Sequence, residues 1–224
     1  MIKGSIRGVI VFALLGASMA SAQSSQAARD AFTLVVNPGP QYRVLKTLFW
    51  FIKIPAYPQM ACWIETEDGK YVQAVYVTAG EGKNRYSFAP RNGRPEALPA
   101  WSHRKGPGTN GADAVSGATP AAASERTASV APAAGLHRVV VFLEVNRAFD
   151  YNERYTRSNS GVNGQPSVIY KTELDLSKGP VRSRFVPYGT GAVDGSDGSI
   201  TPGSEGITTA LTIVDSVEIV FGPK

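Results

Sequence analysis

One cysteine and two histidines are all the thiol and imidazole that 224 residues carry, which excludes a disulfide framework and a cysteine-rich zinc site. His103 and His137 lie far apart in the chain, and no ligand spacing of the zinc type links either to another Cys or His. Charge is scarce too, at 18% of positions, and apart from His103-Arg104-Lys105 the basic residues are scattered, so there is no footprint for nucleic acid. No long run shows apolar residues at helical spacing. Ser116 lacks the Gly-x-Ser-x-Gly frame of a nucleophile elbow. The usual catalytic side chains are therefore few.

The 43% of hydrophobic positions suit one globular domain with a real core. Residues 1–22 read as a secretory signal: Lys3 and Arg7 supply a positive start, Gly8 to Ala20 an apolar run too short for a stable anchor, and Ala20-Ser21-Ala22 a small-residue cleavage site. Cleavage before Gln23 would remove two of the positive charges behind the formal +5 and leave residues 23–224 as a single domain. Gln23 is not a cysteine, so no lipoprotein-type attachment is expected, and the mature chain is expected in the periplasm or secreted. The lone Cys62 lies in Met60-Ala61-Cys62-Trp63-Ile64 and is expected to be buried and unpaired.

The periodicity is that of short strands, expected at Phe32 to Val36, Leu45 to Ile54, Met60 to Glu65, Tyr71 to Thr78, Arg85 to Phe88, Leu136 to Asn146, Ser167 to Leu176, Val181 to Val186 and Leu211 to Phe221. Asp68-Gly69 marks the clearest hairpin, because its turn needs a residue tolerant of positive φ. In Leu136 to Asn146, Val139, Val141, Leu143 and Val145 share one face, with Arg138 and Glu144 on the other, the alternation of a half-buried strand. Val44 to Ile54 is long enough for a helix, but Pro55 ends it and Phe49-Trp50-Phe51 favours a strand. The expected fold is all-β, an immunoglobulin-like sandwich with long Gly/Ala/Ser-rich loops rather than a barrel.

Two segments break the strand rhythm. Residues 102–135, rich in Ala, Gly, Ser and Pro, form a connection of a length that is usually functional or disordered. Residues 189–206 carry six glycines with Asp194, Asp197 and Glu205. They lack the twelve-residue calcium-loop pattern, so a solvated loop is favoured over a metal site. Arg147, Asp150, Tyr151, Glu153, Arg154 and Tyr155 form either a ligand rim or a strand-end loop, and Trp50, Trp63 and Trp101 are core or loop-packing residues first.

Within the first loop stands Asp113-Ala114-Val115-Ser116-Gly117-Ala118-Thr119. The string resembles the acceptor motif of proteins that carry flavin mononucleotide (FMN) covalently, in which a flavin transferase esterifies the last hydroxyl with the flavin phosphate. The resemblance makes Thr119 the acceptor and Asp113, Ser116, Gly117 and Ala118 the recognition positions. A hydroxyl nucleophile and small neighbours suit that chemistry, because the backbone must enter a confined site. The plainer reading is a turn at Ser116-Gly117 leading to Thr119-Pro120. The chain departs from familiar flavinylated domains in the Pro120-Ala121-Ala122-Ala123 that follows and in its β-rich surroundings.

More widely, Trp63-Ile64-Glu65 with Asp68-Gly69-Lys70, Leu98-Pro99-Ala100-Trp101, the acceptor string, Glu144-Val145-Asn146, Phe149-Asp150-Tyr151-Asn152 and Val162-Asn163-Gly164-Gln165-Pro166 resemble a family of periplasmic proteins of unknown function with an immunoglobulin-like sandwich. Members often accompany flavin-transfer systems. The resemblance implies a redox carrier with FMN on Thr119, served by a transferase and a redox partner. The competing reading is an extracytoplasmic binding or structural module without cofactor, presenting loops 102–135, 147–166 and 189–206.

Overall fold

The computed structural model describes residues 30–49, 51–82, 94–105, 115–117, 124–130, 132–133 and 135–223. Residues 1–22, expected as a secretory signal, and the strand expected at Arg85 to Phe88 lie outside them. The described chain is an all-β sandwich. Its strands are β1 (Asp30–Pro38), β2 (Val44–Phe49), β3 (Ile52–Ala56), β4 (Gln59–Thr66), β5 (Tyr71–Thr78), β6 (Val115–Gly117), β7 (Ser124–Val130), β8 (Arg138–Asn146), β9 (Val168–Asp175), β10 (Val181–Arg184), β11 (Val186–Gly191), β12 (Ile200–Pro202) and β13 (Val214–Pro223). Short helices α1 (Ala79–Gly82), α2 (Pro99–Arg104) and α3 (Arg157–Ser160) interrupt them.

One sheet runs β10-β13-β1-β7, the other β12-β11-β9-β8-β4-β5-β6, and β2-β3 stand apart as a hairpin. The core forms between the two sheets. Phe32, Leu34, Val217, Ile219 and Phe221 from the smaller sheet meet Met60, Cys62, Ile64, Val139, Val141, Leu143 and Val145 from the larger. The alternation of β8 thus points where its sequence implies. Cys62 is buried and free, and burial pushes its thiol well above the ordinary range. Gly69, at φ 79°, closes the β4–β5 hairpin, where Asp68-Gly69 marks the turn.

The other face of β8 corrects the half-buried expectation. Phe142 and Glu144 point away from the inter-sheet core and are also buried, because residues 94–105 fold over the outer face of the larger sheet. A second apolar cluster fills that layer, with Trp63 stacked on Phe142 at 5.4 Å between ring centroids and tilted against Trp101 at 5.9 Å. Each buried aromatic removes about 150–250 Å² from water, which is ample to hold a twelve-residue flap.

Other boundaries also shift. Leu45 to Ile54 is neither one strand nor a helix but the hairpin β2–β3, with the register slipping between Thr47 and Phe49. Val181 to Val186 breaks at Phe185, where the chain passes from the smaller sheet to the larger. The last strand starts at Val214, after a 3-10 turn at Thr209–Thr212. The 102–135 connection is not structureless: β7 covers the edge of β1, and β6 runs parallel to β5. Unpaired backbone at the edge of β1 recruits β7 despite its weak, Ser-rich sequence. In the 189–206 segment β11 extends to Gly191 and β12 pairs with it.

Gly191 lies where the flap meets the sheet. A Cβ there would stand 2.5 Å from Ser167 Oγ, 2.7 Å from Pro99 Cγ and 3.0 Å from Glu144 Oε1. Gly191→Ala is therefore expected to destabilise the domain by about 1–3 kcal/mol. Chemical denaturation of the two proteins side by side checks this, and equal midpoints would contradict it.

Candidate functional site

Three places hold the residues that the sequence singled out: the Asp113–Thr119 string, the flap, and the loop that follows β8. In the acceptor string, Ser116 and Gly117 fall on β6, with Ser116 opposite Val77 and Gly117 opposite Thr78. Asp113, Ala118 and Thr119 lie outside the described residues. Among the described residues β6 is the terminal strand of the larger sheet. The part of the string that is described is thus an extended edge, not the turn that Ser116-Gly117 alone implies.

The flap is fastened by a carboxylate. Glu144, fully buried on β8, accepts hydrogen bonds from Trp101 N (2.8 Å), Ala100 N (3.3 Å) and Ser167 Oγ (2.6 Å). Pro99 opens α2 at a position that needs no N–H, and the next two amides point at Glu144. Burial pushes the Glu144 carboxyl up to about 7, against the opposing pull of Ser167, Trp101 and Ala100, while nearby Glu81 adds to the rise. Asn146 Nδ2 donates to Ala97 O at 2.9 Å, a second bond between β8 and the flap.

Arg104 ties the far end. Its Nε stands 2.8 Å from Glu65 Oε1, which also accepts from Trp63 Nε1 at 2.7 Å, and its Nη1 donates to Gly198 O at 2.6 Å. His103 Nδ1 lies 3.0 Å from Pro99 O, and Lys105 Nζ sits 5.8 Å from the Trp101 ring. The one basic block in the sequence is therefore spent on holding the flap. Trp101, 1% exposed, belongs to the core and covers nothing outside it.

The 192–199 loop packs on the same flap, with Gly195 at φ 71° where a Cβ would stand 2.6 Å from Glu96 Cα. Asp194 and Asp197 remain exposed, accept from Ser196 N and Ser199 N, and are held below the usual carboxylate range mainly by those serines. They form turns of the Asx kind. No cluster of metal-ligating side chains occurs among the described residues.

After β8, the polar cluster separates into buried and exposed members. Arg147 Nη2 donates to Asp150 Oδ1 at 2.6 Å with both side chains buried, and Thr209 Oγ1 donates to the same oxygen at 2.7 Å. Gln165 Nε2 donates to Thr209 Oγ1, and Gln165 Oε1 accepts from Thr208 N. Arg147 Nη1 also donates to Gln41 O, and Arg94 Nη2 to Asn163 Oδ1 at 2.6 Å. Tyr151, Arg154 and Tyr155 lie nearer the surface: Tyr151 Oη donates to Gly161 O, and Arg154 sits over the Tyr155 ring. Glu153 is exposed. The Arg147–Asp150 pair is thus a structural bolt, while the rest is a strand-end loop.

Thr209 was not singled out in the sequence, and Glu144, Asn163 and Gln165 figured there in the strand alternation or the family resemblance but not as site residues. For Glu144 the available signal was Phe142 on its own face of β8, since an aromatic there requires a cover. No protein-family model, curated protein or solved structure matches the chain.

Two outcomes follow. Asp150→Ala would leave the Arg147 guanidinium buried beside Thr209 without its counter-charge, and a loss of roughly 3–5 kcal/mol is expected in denaturant unfolding. For Glu144, the folded state holds its proton up to about 7 whereas the unfolded chain releases it near 4.5. Protonated Glu144 imposes no penalty below that lower value, and the penalty grows as pH rises through the interval, reaching on the order of 3 kcal/mol above it. Stability measured from pH 4.5 to 8 should fall accordingly, and Glu144→Gln should flatten the slope. An unchanged slope would assign the dependence to other groups.

Proposed function

We propose that this chain is an extracytoplasmic β-sandwich that carries FMN covalently on Thr119. The observation that carries the reading is the complete string from Asp113 to Thr119, of which Val115–Gly117 forms an edge strand. Edge strands are read by other proteins through backbone pairing, and Gly117 keeps that edge free of side-chain bulk. Thr119 follows two positions later. The immunoglobulin-like assignment and the periplasmic or secreted location belong to the same reading. They are supported by two face-packed sheets of short strands and by the leader-like residues 1–22.

Bound FMN would supply electron transfer; the chain supplies the hydroxyl and the extended string around it. In attachment the Thr119 Oγ–P bond forms, the pyrophosphate P–O bond of the flavin dinucleotide breaks, and AMP departs. The hydroxyl proton passes to a base on the transferase, which magnesium assists. Trp101 offers the ring no surface, so any packing of the isoalloxazine involves other residues. A transferase and a redox partner are the implied partners.

A binding or structural module without cofactor is the second reading. It is favoured by the tightly hydrogen-bonded 147–166 loop, which presents exposed Phe149 and Val162 above the buried Arg147–Asp150 pair.

Co-expression with an active flavin transferase separates the two. The expected product has the added mass of FMN less one water and keeps its yellow colour through denaturation. Thr119→Val should remain unmodified yet folded, and Asp113→Ala should be modified poorly. Unmodified mass in the wild-type chain would reject the carrier reading in favour of the binding module.

A further inference from the structure

The β2–β3 hairpin has an unusual tip. Phe49 pairs with Ile52, and Phe51 lies in the turn between them. Two-residue hairpin turns favour Asn-Gly or Asp-Gly, because their backbone twist calls for positive φ. Here an aromatic holds a turn position and is 83% exposed, with Ile52 and Leu45 also exposed on the hairpin. The hydrophobic effect that buries Phe32 and Phe142 gives no reason to place a phenyl ring there.

The hairpin pairs with neither sheet of the sandwich, and isolated hairpins are marginal in water. This one is moored at its base. Tyr42 is buried in the inter-sheet core, and Lys46 Nζ donates to Phe149 O at 2.7 Å. That bond sets a second exposed aromatic beside it. Phe149 has φ 62°, a region that a bulky residue rarely enters, and is held there by Phe149 N→Val162 O (2.7 Å) and Asp150 N→Asn163 O (3.0 Å). The strained backbone leaves the ring 45% exposed instead of burying it. Strain of this kind clusters where a surface has a task.

Charge narrows the partner. From residue 31 to residue 64 there is no Asp or Glu, while Arg43, Lys46 and Lys53 stand on or beside the hairpin, with Arg43 and Lys53 exposed. An apolar tip with Lys53 next to it, on a hairpin whose base carries Arg43, matches a bilayer surface, where rings settle at the headgroup boundary and Lys or Arg meet anionic headgroups. No described helix is long and apolar enough to cross a membrane.

We propose that the β2–β3 hairpin, with Phe51 and Ile52 at its tip, Lys53 next to them, and Phe149 and Arg43 toward its base, docks on an anionic phospholipid surface. This surface is independent of flavin attachment at Thr119. Co-sedimentation of the purified chain with vesicles of phosphatidylglycerol and phosphatidylcholine, against phosphatidylcholine alone, tests it. Binding is expected to the anionic vesicles, weakened by high salt as the Debye length shrinks. Phe51→Asp should lower the binding constant about tenfold or more, since it replaces a ring that docking would bury with a negative charge facing anionic headgroups. Val186→Asp, at an exposed apolar residue on the larger sheet, should leave it unchanged. Circular dichroism of Phe51→Asp should match the wild type, because the ring makes no core contact. Failure to bind anionic vesicles, or equal binding by Phe51→Asp and wild type, would overturn the proposal. A concentration-dependent dimer that Phe51→Asp abolishes would also overturn it, identifying the tip as a contact between copies of this chain.

Discussion

The architecture depends on one buried carboxylate. Glu144 sits on the face of β8 that looks away from the inter-sheet core, and a lone acid there would be costly. Two amides of α2 and the Ser167 hydroxyl satisfy it, so its burial and the docking of the flap occur together. With the flap down, Trp63 and Trp101 leave water, and the larger sheet is covered on both sides. Without it, a broad apolar face comprising Ala61, Trp63, Phe142 and Ile169 would be exposed.

The same flap organises the loops. Arg104 links it to Glu65 on β4 and to Gly198, Arg94 links it to Asn163, and Asn146 reaches Ala97. The 192–199 and 147–166 segments therefore rest on a common support. The Arg147–Asp150 pair extends that support to Gln41 and Thr209 at the end of the sandwich. Its energetic contribution comes less from attraction between the charges than from the penalty of leaving either one buried alone.

Two described elements remain outside this network. The β6 edge carries part of the acceptor string, and the β2–β3 hairpin projects from the sandwich with its aromatic tip exposed. Both are backbone pairings at the margin of a well-packed body, the regions from which binding surfaces are commonly drawn. The rigid sandwich holds both.

By itself, the sequence determined the strands whose side chains alternate cleanly. Val139, Val141, Leu143 and Val145 could face only one core, Asp68-Gly69 could only turn, and Cys62 among Met60, Trp63 and Ile64 had to be buried, because period-two burial and turn stereochemistry are local properties. The string from Asp113 to Thr119 is visible in the sequence alone, because it is written in consecutive residues, and the structure adds that Val115–Gly117 of it is extended. Only the tertiary structure decided that Glu144 is interior, that Ser-rich Ser124–Val130 is a strand, that 44–54 folds back on itself, and that Arg147 pairs with Asp150 while Glu153 does not. Each of those outcomes depends on a partner distant in sequence: a flap to cover Glu144, an unpaired edge of β1 for β7, a carbonyl of Phe149 for Lys46, and the 3-10 turn at Thr209 for Asp150. Burial of a polar group is settled by what arrives to satisfy it, and no local pattern states what will arrive.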